Sequence, residues 1–263
     1  MRATILERIA ADKKAEISVA RRQEPEDALR RRAEEREAPR PLAAVLGKSQ
    51  PDRIGIIAEI KRASPSRGVI REPLDPADYA RRYQAGGAAA LSVLTDTPYF
   101  RGSLADLAAA RQAVSLPVLR KDFLLSTYQI YESAASGADA VLLIVRLLER
   151  GQLRDYLALC RELCLDALVE VHDEPDLDQA AEAGAELVGI NNRDLATFAT
   201  DTNLAARLAA QLEPHQVAVA ASGIRGANDV RRTRQAGIYN FLVGESLVRA
   251  EDTVGFLRQL RAA

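Results

Sequence analysis

The stretch ASGADAVLLIV, residues 135–145, contains the pattern that decides the fold. A helical segment ends in a small residue followed by glycine, and an apolar strand begins a few residues later. Glycine just past a helix end is the expected left-handed cap, and the short connection after it leads into a buried strand. The pattern recurs about every 50 residues, an interval that fits two strand–helix units, in QAGGAAALSVL (84–94), EAGAELVGI (182–190) and QAGIYNFLVG (235–244).

Adding the alternate units gives eight predicted strands. Most are continuous apolar runs, which are typical of parallel strands covered on both faces. The strands are predicted at Ile54–Lys61, Ala89–Thr95, Pro117–Phe123, Ala140–Val145, Ala167–His172, Leu187–Asn192, Val217–Ser222 and Asn240–Gly244. Helices are predicted at Pro76–Ala85, Ser103–Val114, Thr127–Ala135, Glu149–Cys164, Glu174–Ala183, Leu204–Leu212, Ala227–Gln235 and Thr253–Leu260, several with plausible caps such as Ser126 and Asp201.

Eight consecutive strand–helix units predict a closed (β/α)8 TIM barrel in the α/β class. A doubly wound open sheet is the alternative, and eight uninterrupted units make it the less favoured one. The chain has 263 residues and is 48% hydrophobic, which is sufficient for one large core. We therefore expect a single domain over residues 1–263.

The first predicted strand begins only at Ile54, so residues 1–53 form an N-terminal helical extension to a barrel at 54–263. Helical patterns lie at Ile5–Arg22 and Glu26–Glu37, with turn-rich breaks after them. Periodicity does not tell which end of the barrel the extension covers.

Composition excludes several classes of function. The net charge is -1, and the arginines between Arg30 and Arg40 alternate with glutamates, so we expect no nucleic-acid partner. No apolar stretch approaches the roughly 20 residues that span a bilayer, and the N-terminal sequence has no signal-peptide core. We expect a cytoplasmic protein without a membrane partner, in which Cys160 and Cys164 are buried, reduced side chains and not metal ligands.

Lysine is scarce in this chain. Only 5 of the 36 basic residues are lysine, and two of them, Lys61 and Lys121, close apolar strands. An ammonium can give up its proton near neutrality when it is desolvated, whereas a guanidinium cannot. Lys61 and Lys121 are therefore candidate proton donors or nucleophiles; the alternative is two half-buried lysines in salt bridges.

Polar residues gather at the carboxyl ends of the predicted strands, where barrels carry their catalytic groups. Glu59 and Lys61 are two residues apart, so their side chains share one face of a strand, the face toward the lumen. Such crowding in a concave pocket shifts pKa values and suits acid–base chemistry. The other strand-end candidates are Ser64, Lys121, Asp122, Glu170, Asn191, Asn192, Arg193, Ser222, Gly223, Gly244 and Glu245.

Glycines after the last two strands predict a phosphate site. SGI at 222–224 and VGES at 243–246 occupy the two loops that commonly hold phosphate through backbone N–H groups in barrels. Glycine lets the backbone approach an anion closely. The alternative is that both segments are ordinary turns. The carboxylate of Glu245 favours this alternative, because it would repel a phosphate.

Taken together, these segments resemble a known family. AEIKRASPSRG (58–68), LSVLTDTPYFRGS, LRKDFLLSTYQIYES, LVEVHDE, GINNRDL, ASGI and FLVGESL are similar to indole-3-glycerol phosphate synthase of tryptophan biosynthesis, strand by strand through the barrel. The resemblance implies a ring-closing, decarboxylating lyase. It would convert 1-(2-carboxyphenylamino)-1-deoxyribulose 5-phosphate to indole-3-glycerol phosphate, CO2 and water without cofactor or metal.

The resemblance also implies roles for residues of this chain. Lys121 matches the general acid of ring closure, and Lys61 and Glu170 match residues of the later dehydration, with the division of steps left open. Glu59 and Asn191 resemble residues that hold the network and the ribulose hydroxyls. The phosphate and ribulose side would be lined by Ser64, Ser222, Gly223, Gly244 and Glu245. The substrate's carboxylate would lie near Arg193. The slot for the anthranilate ring would be formed by Phe100, Phe123, Leu142, Leu195 and Phe198.

Ala221 stands where the family commonly has glutamate before Ser-Gly-Ile, from which we expect altered kinetics or pH dependence and not loss of activity. His172 is expected just past the fifth strand, as a surface group or one behind the site. We expect a monomer or a weak dimer.

The same residues also allow two other functions. One is a different phosphate-binding barrel, such as a sugar-phosphate isomerase or a Schiff-base aldolase that uses Lys121. The other is a catalytically inactive barrel that serves as a binding subunit, against which the presence of Glu59, Lys61, Lys121 and Glu170 argues.

Overall fold

A computed structural model describes residues 4–191 and 202–263 of the chain. Its central feature is a closed barrel of eight parallel strands. The strands are β1 Gly55–Ile60, β2 Ala90–Leu94, β3 Val118–Lys121, β4 Ala140–Ile144, β5 Asp166–Val171, β6 Leu187–Ile190, β7 Val217–Ala220 and β8 Asn240–Val243. Each strand pairs with its neighbours in sequence, and β1 also pairs with β8 from Gly55 opposite Asn240. This closure confirms the predicted barrel over the open sheet.

Helices surround the barrel and precede it. Within the described residues they are α1 Ile5–Gln23, α2 Glu26–Glu34, α3 Leu42–Leu46, α4 Pro76–Gly86, α5 Thr97–Phe100, α6 Leu104–Ala113, α7 Thr127–Ala135, α8 Arg150–Glu162, α9 Glu174–Glu182, α10 Thr202–Ala209, α11 Ala227–Arg234, α12 Glu245–Arg249 and α13 Thr253–Arg261. A 3-10 turn spans Val145–Leu147, and Ala63–Ser64 pairs with Gly68–Val69 in a short hairpin after β1.

The predicted elements exist, but several end earlier than expected. The third strand stops at Lys121 and not at Phe123, and α8 stops at Glu162 and not at Cys164. Helices α3, α5 and α12 and the hairpin were not predicted, because they are too short to show a periodic sequence pattern. Asn192 and the expected cap Asp201 lie outside the described residues.

The glycine caps behave as the opening pattern predicts, with one shift. Gly137 follows α7 with φ 86, in the left-handed region that a side chain rarely adopts. In the first copy the left-handed residue is Gly87 (φ 85) and not Gly86, which is the last residue of α4. Ser126 caps α7 by accepting the backbone N–H of Tyr128.

The barrel interior and the helix layer form two separate apolar clusters. The interior cluster includes Ile57, Leu119 and Leu168, and Leu42 and Leu46 of α3 join it, both fully buried. The backbone N–H of Ala43 donates to the Asp166 carboxylate at the start of β5, at 2.8 Å. Helix α3 therefore closes the base of the barrel, at the amino ends of its strands.

Helix α1 lies at the opposite end. Its residues Ile5, Leu6 and Ile9 line the cavity at the barrel mouth, and the Tyr99 hydroxyl of α5 donates to Asp12 at 2.5 Å. The extension thus contributes to both ends of the barrel, which sequence periodicity had left open.

One cysteine differs from expectation. Cys160 is buried in α8, and burial raises the pKa of its thiol to about 12. Cys164 is exposed, because the helix has already ended and residue 164 adopts a left-handed conformation with φ 51. The expectation that both side chains are buried on one helix face was wrong for Cys164.

Candidate active site

A cavity of about 1080 Å³ opens at the carboxyl ends of the strands, beneath α1. It brings together every predicted site residue that the structure describes. Its lining includes Glu59, Lys61, Ser64, Phe100, Lys121, Phe123, Leu142, Glu170, Asn191, Ser222, Gly223, Gly244 and Glu245. Arg193, Leu195 and Phe198 lie outside the described residues.

Two lysine–glutamate pairs form the charged centre of this cavity. Lys61, the residue after β1, has its Nζ 2.5 Å from Oε1 of Glu59, which is two positions earlier in the chain. Lys121 Nζ, at the end of β3, lies 3.4 Å from Glu170 Oε2 on β5. Both carboxylates belong to residues that are 4% exposed. Buried charges of this kind persist only when they are paired.

Pairing decides the protonation state of Lys121 and Glu170. Burial alone would lower the pKa of Lys121, but the neighbouring Glu170 and Glu59 carboxylates outweigh it and raise the pKa. Burial would raise the pKa of Glu170, but Lys121, His172 and a hydrogen bond from Asn191 (3.1 Å) outweigh it and lower the pKa. At neutral pH the pair is an ammonium, which can donate a proton, and a carboxylate, which can accept one.

His172 occupies a position different from the surface location considered above. It is buried, with Nε2 3.5 Å from Glu170 Oε1 and Nδ1 3.4 Å from Asp176 Oδ2. Its backbone N–H also donates to Asp176, at 2.9 Å. A surface position was therefore wrong, and the imidazole lies behind the site, next to Glu170.

Lys13 is a third lysine at the mouth, which sequence reasoning missed, and unlike the half-buried Lys61 and Lys121 it is buried. It is 1% exposed, and its Nζ lies 2.8 Å from Glu16, 3.0 Å from Asp96 and 3.1 Å from Asp122. Burial would lower its pKa, but these carboxylates raise it. Two signals were available: lysine is scarce, and Lys13 has helical spacing with the apolar residues Ile9 and Ile17.

The loops after β7 and β8 form one end of the cavity. Gly223 has φ 86, and Gly244 lies so close to Glu59 that a side-chain carbon there would collide with the carboxylate. The carboxylate of Glu245, which had argued against an anion site, pairs with Arg249 at 3.1 Å and Arg67 at 3.6 Å. Its charge is therefore compensated, and this end of the cavity carries a surplus of arginine.

The other end of the cavity is apolar. The rings of Phe100, on α5, and Phe123, just past β3, have centroids 6.1 Å apart and planes tilted by 39°. Leu142 of β4 and Ile9 of α1 line the same cavity. These side chains form an aromatic slot, defined here by Phe100, Phe123 and Leu142, which matches a flat hydrophobic ring.

The chain is similar in sequence to known proteins over almost its whole length. The family model described as indole-3-glycerol phosphate synthase matches residues 6–260. A protein of that name from Desulfosudis oleivorans is 61% identical over 259 residues, covering 98% of each chain. The chain belongs to the indole-3-glycerol phosphate synthase family. A second protein of that name, from Syntrophobacter fumaroxidans, is 50% identical and covers 98% of this chain and 97% of its own.

A distant solved structure supports the fold alone. Thiamine phosphate pyrophosphorylase from Pyrococcus furiosus aligns with a TM-score of 0.59 and 16% identity, covering 80% of this chain and 94% of that one. The likeness extends to the barrel and carries nothing about chemistry.

Residues 4–191 and 202–263 contain no cluster of three or more histidine, cysteine, aspartate or glutamate side chains placed to hold a metal ion. Over the same ranges, no helix is both long and apolar enough to cross a bilayer.

Proposed function

We propose that this chain catalyses the reaction of its family: ring closure of 1-(2-carboxyphenylamino)-1-deoxyribulose 5-phosphate with loss of CO2 and water, to give indole-3-glycerol phosphate for tryptophan biosynthesis. The observation that carries the proposal is the Lys121–Glu170 pair in the mouth of a barrel of this family, 3.4 Å between Nζ and Oε2. It supplies an acid and a base in one cavity, which the aromatic slot and the arginine-rich end also line.

Ring closure requires a proton donor. The ring carbon that bears the carboxylate attacks the ribulose carbonyl carbon, and the carbonyl oxygen becomes a hydroxyl as it takes a proton. We assign this donation to Lys121, whose raised pKa keeps the ammonium protonated until substrate arrives. The C–CO2 bond then breaks, and its electron pair restores the aromatic ring.

Dehydration requires a second donor and a base. The new hydroxyl leaves as water when it receives a proton, which we assign to Lys61. A substrate proton is removed as the pyrrole double bond forms, and we assign its removal to Glu170, whose lowered pKa favours the carboxylate. Two protons are given and one is taken, so one proton enters from solvent per turnover, which matches the conversion of a carboxylate to neutral CO2.

The remaining site residues would bind and orient the substrate. The backbone around Ser222, Gly223 and Gly244, with Ser64 and Glu245 beside it, would hold the phosphate and ribulose, and the aromatic slot would hold the anthranilate ring. Glu59 and Asn191 would fix Lys61 and Glu170 through the contacts at 2.5 Å and 3.1 Å. Because of the family resemblance, we also propose that the substrate is bound by Arg193, Leu195 and Phe198.

The extension supports a single-domain organisation. Leu42 and Leu46 complete the barrel interior, and Lys13 is buried against the barrel mouth. We propose that residues 1–53 and 54–263 fold as one unit. We also propose a cytoplasmic monomer. Large exposed hydrophobic side chains in the described residues are limited to Val19 and Val69, which supports the monomer.

The direct test supplies the carboxyphenylamino-deoxyribulose phosphate to the purified protein and follows the appearance of indole fluorescence. Metal-free buffer with a chelator should leave the rate unchanged. In parallel, borohydride is added during turnover. A stable adduct on Lys121 would contradict the acid role and favour the Schiff-base aldolase.

A further inference from the structure

The ammonium of Lys13 joins two turns at the barrel mouth. One turn follows β2 and contains Asp96; the other follows β3 and contains Asp122. Lys13 Nζ lies 3.0 Å from a carboxylate oxygen of Asp96 and 3.1 Å from one of Asp122. Both aspartates are buried, at 1% and 2% exposure, so solvent does not screen these contacts.

The first turn carries one wall of the aromatic slot. Asp96 is the N-cap of α5, and its Oδ1 accepts the backbone N–H of Tyr99 at 2.8 Å. Phe100 is the last residue of this four-residue helix. A shift of Asp96 therefore moves the backbone from which the Phe100 ring extends.

The second turn carries the opposite wall. Asp122 Oδ1, the same oxygen that faces Lys13, accepts the backbone N–H of Phe123 at 2.8 Å. Its Oδ2 accepts from Thr95 at 2.6 Å and from Arg120 at 3.1 Å. Burial would raise the pKa of Asp122, but Arg120 and Lys13 outweigh it and lower the pKa to about 2.

Removal of Lys13 would change the balance of charge between the walls. Asp96 and Asp122 would then face one another's charge in a buried environment, and Arg120 would be the remaining cation that the described residues place against Asp122. Like charges in a medium of low dielectric constant repel strongly. The two turns would separate or admit water, and the ring spacing of 6.1 Å would change.

We propose that Lys13 is a positioning residue that sets the separation of Phe100 and Phe123, and so the fit of the aromatic slot to the substrate's ring. The inference rests on the proposed function, because it identifies the slot as the ring site. Lys13 does not touch the reacting atoms in this account. Its effect should appear in substrate binding more than in the chemical steps.

The test compares Lys13→Met with Lys14→Met, which removes the neighbouring, exposed lysine of the same helix. KM and kcat are measured by indole fluorescence. Competitive inhibition by inorganic phosphate reports on binding at the other end of the cavity. Thermal unfolding checks that each variant is folded. Lys13→Met should raise KM on the order of tenfold, since small misplacements of binding groups have effects of that size or larger. Phosphate inhibition and the Lys14→Met parameters should equal those of the wild type.

A folded Lys13→Met protein with the wild-type KM would overturn the proposal. A loss of phosphate affinity as large as the rise in KM would also overturn it, because it would indicate general disruption of the cavity. If Lys13→Met does not fold, Asp96→Asn decides, since asparagine keeps a cap oxygen for Tyr99 but loses the charge. It should raise KM several-fold, and an unchanged KM overturns the proposal. Absence of turnover in the wild type would instead contradict the proposed function.

Discussion

Lys121 Nζ and Glu170 Oε2 lie 3.4 Å apart, although 49 residues separate them in the chain. Parallel strands bring their carboxyl ends to one face, so β3 and β5 deliver both side chains to the barrel mouth. In the proposed reaction Lys121 gives a proton and Glu170 takes one. Their contact allows the pair to be restored within the site after each turnover.

Loss of the Glu170 charge should slow the reaction with little change in structure. Glu170→Gln keeps the shape and the oxygen that accepts from Asn191, but it removes the base. We expect kcat to fall by roughly 10² to 10⁴, the usual contribution of a positioned acid or base. Glu186→Gln is the matched control, because Glu186 is exposed at the other end of the barrel. Equal kcat values for the two variants would remove Glu170 from the mechanism.

The Asp122 carboxylate should make stability depend on pH. Its pKa is about 2 in the folded protein, whereas the ordinary value is 3.8. The carboxylate therefore stabilises the folded state above pH 3.8, and this stabilisation is lost as the pH falls toward 2. The shift corresponds to about 2 kcal/mol of unfolding free energy. Urea titrations at several pH values from 2 to 6 should show a smaller decline for Asp122→Asn than for the wild type. Parallel declines would refute the assignment.

Gly244 should not tolerate a side chain. A Cβ at this position would collide with the Glu59 carboxylate, which holds Lys61 at 2.5 Å. Gly244→Ala should therefore displace Glu59 and lower kcat/KM by at least roughly tenfold, as expected for misplaced catalytic groups. Gly226→Ala is the control, because a Cβ there meets no atom within 4 Å. Wild-type kinetics in Gly244→Ala would show that Glu59 can move without consequence.

Restoring the family's usual glutamate at position 221 should change the pH profile. Ala221 lines the cavity, so Ala221→Glu adds a third carboxylate near Lys61 and Lys121. A nearby negative charge stabilises an ammonium, so the alkaline limb of the kcat profile should move to higher pH. We expect kcat at neutral pH to remain within about tenfold of the wild type, in line with the non-essential role assigned to this position. An alkaline limb that stays in place would mean that the added carboxylate does not reach the lysines.

The barrel and its strand-end residues could be predicted because their signals are local. Glycine caps and continuous apolar strands mark each unit, and a strand's alternation places Glu59 and Lys61 on one face before any contact is known. Parallel pairing then brings Lys121 and Glu170 to the same mouth. These inferences need only the order of the elements.

The docking of the extension could not be predicted in this way. Helix α1 at the mouth and α3 at the base depend on complementary surfaces that are distant in sequence, such as Asp96 and Asp122 around Lys13. The direction of the pKa shift of Lys121 could not be predicted for the same reason, because it also depends on residues that are distant in sequence. Desolvation suggested a lowered value, but the distances to Glu170 and Glu59 reverse the direction, and distances are not visible in a strand pattern.

The most direct test of the account is the turnover of Lys121→Arg. Arginine keeps the positive charge opposite Glu170 but cannot give up its proton near neutrality. We predict that indole fluorescence assays give a kcat lower by roughly 10² to 10⁴, while indole-3-glycerol phosphate binds almost as tightly as to the wild type. Lys48→Arg, at an exposed lysine, should leave both unchanged. Turnover of Lys121→Arg close to the wild-type rate would contradict the claim that Lys121 donates the proton of ring closure.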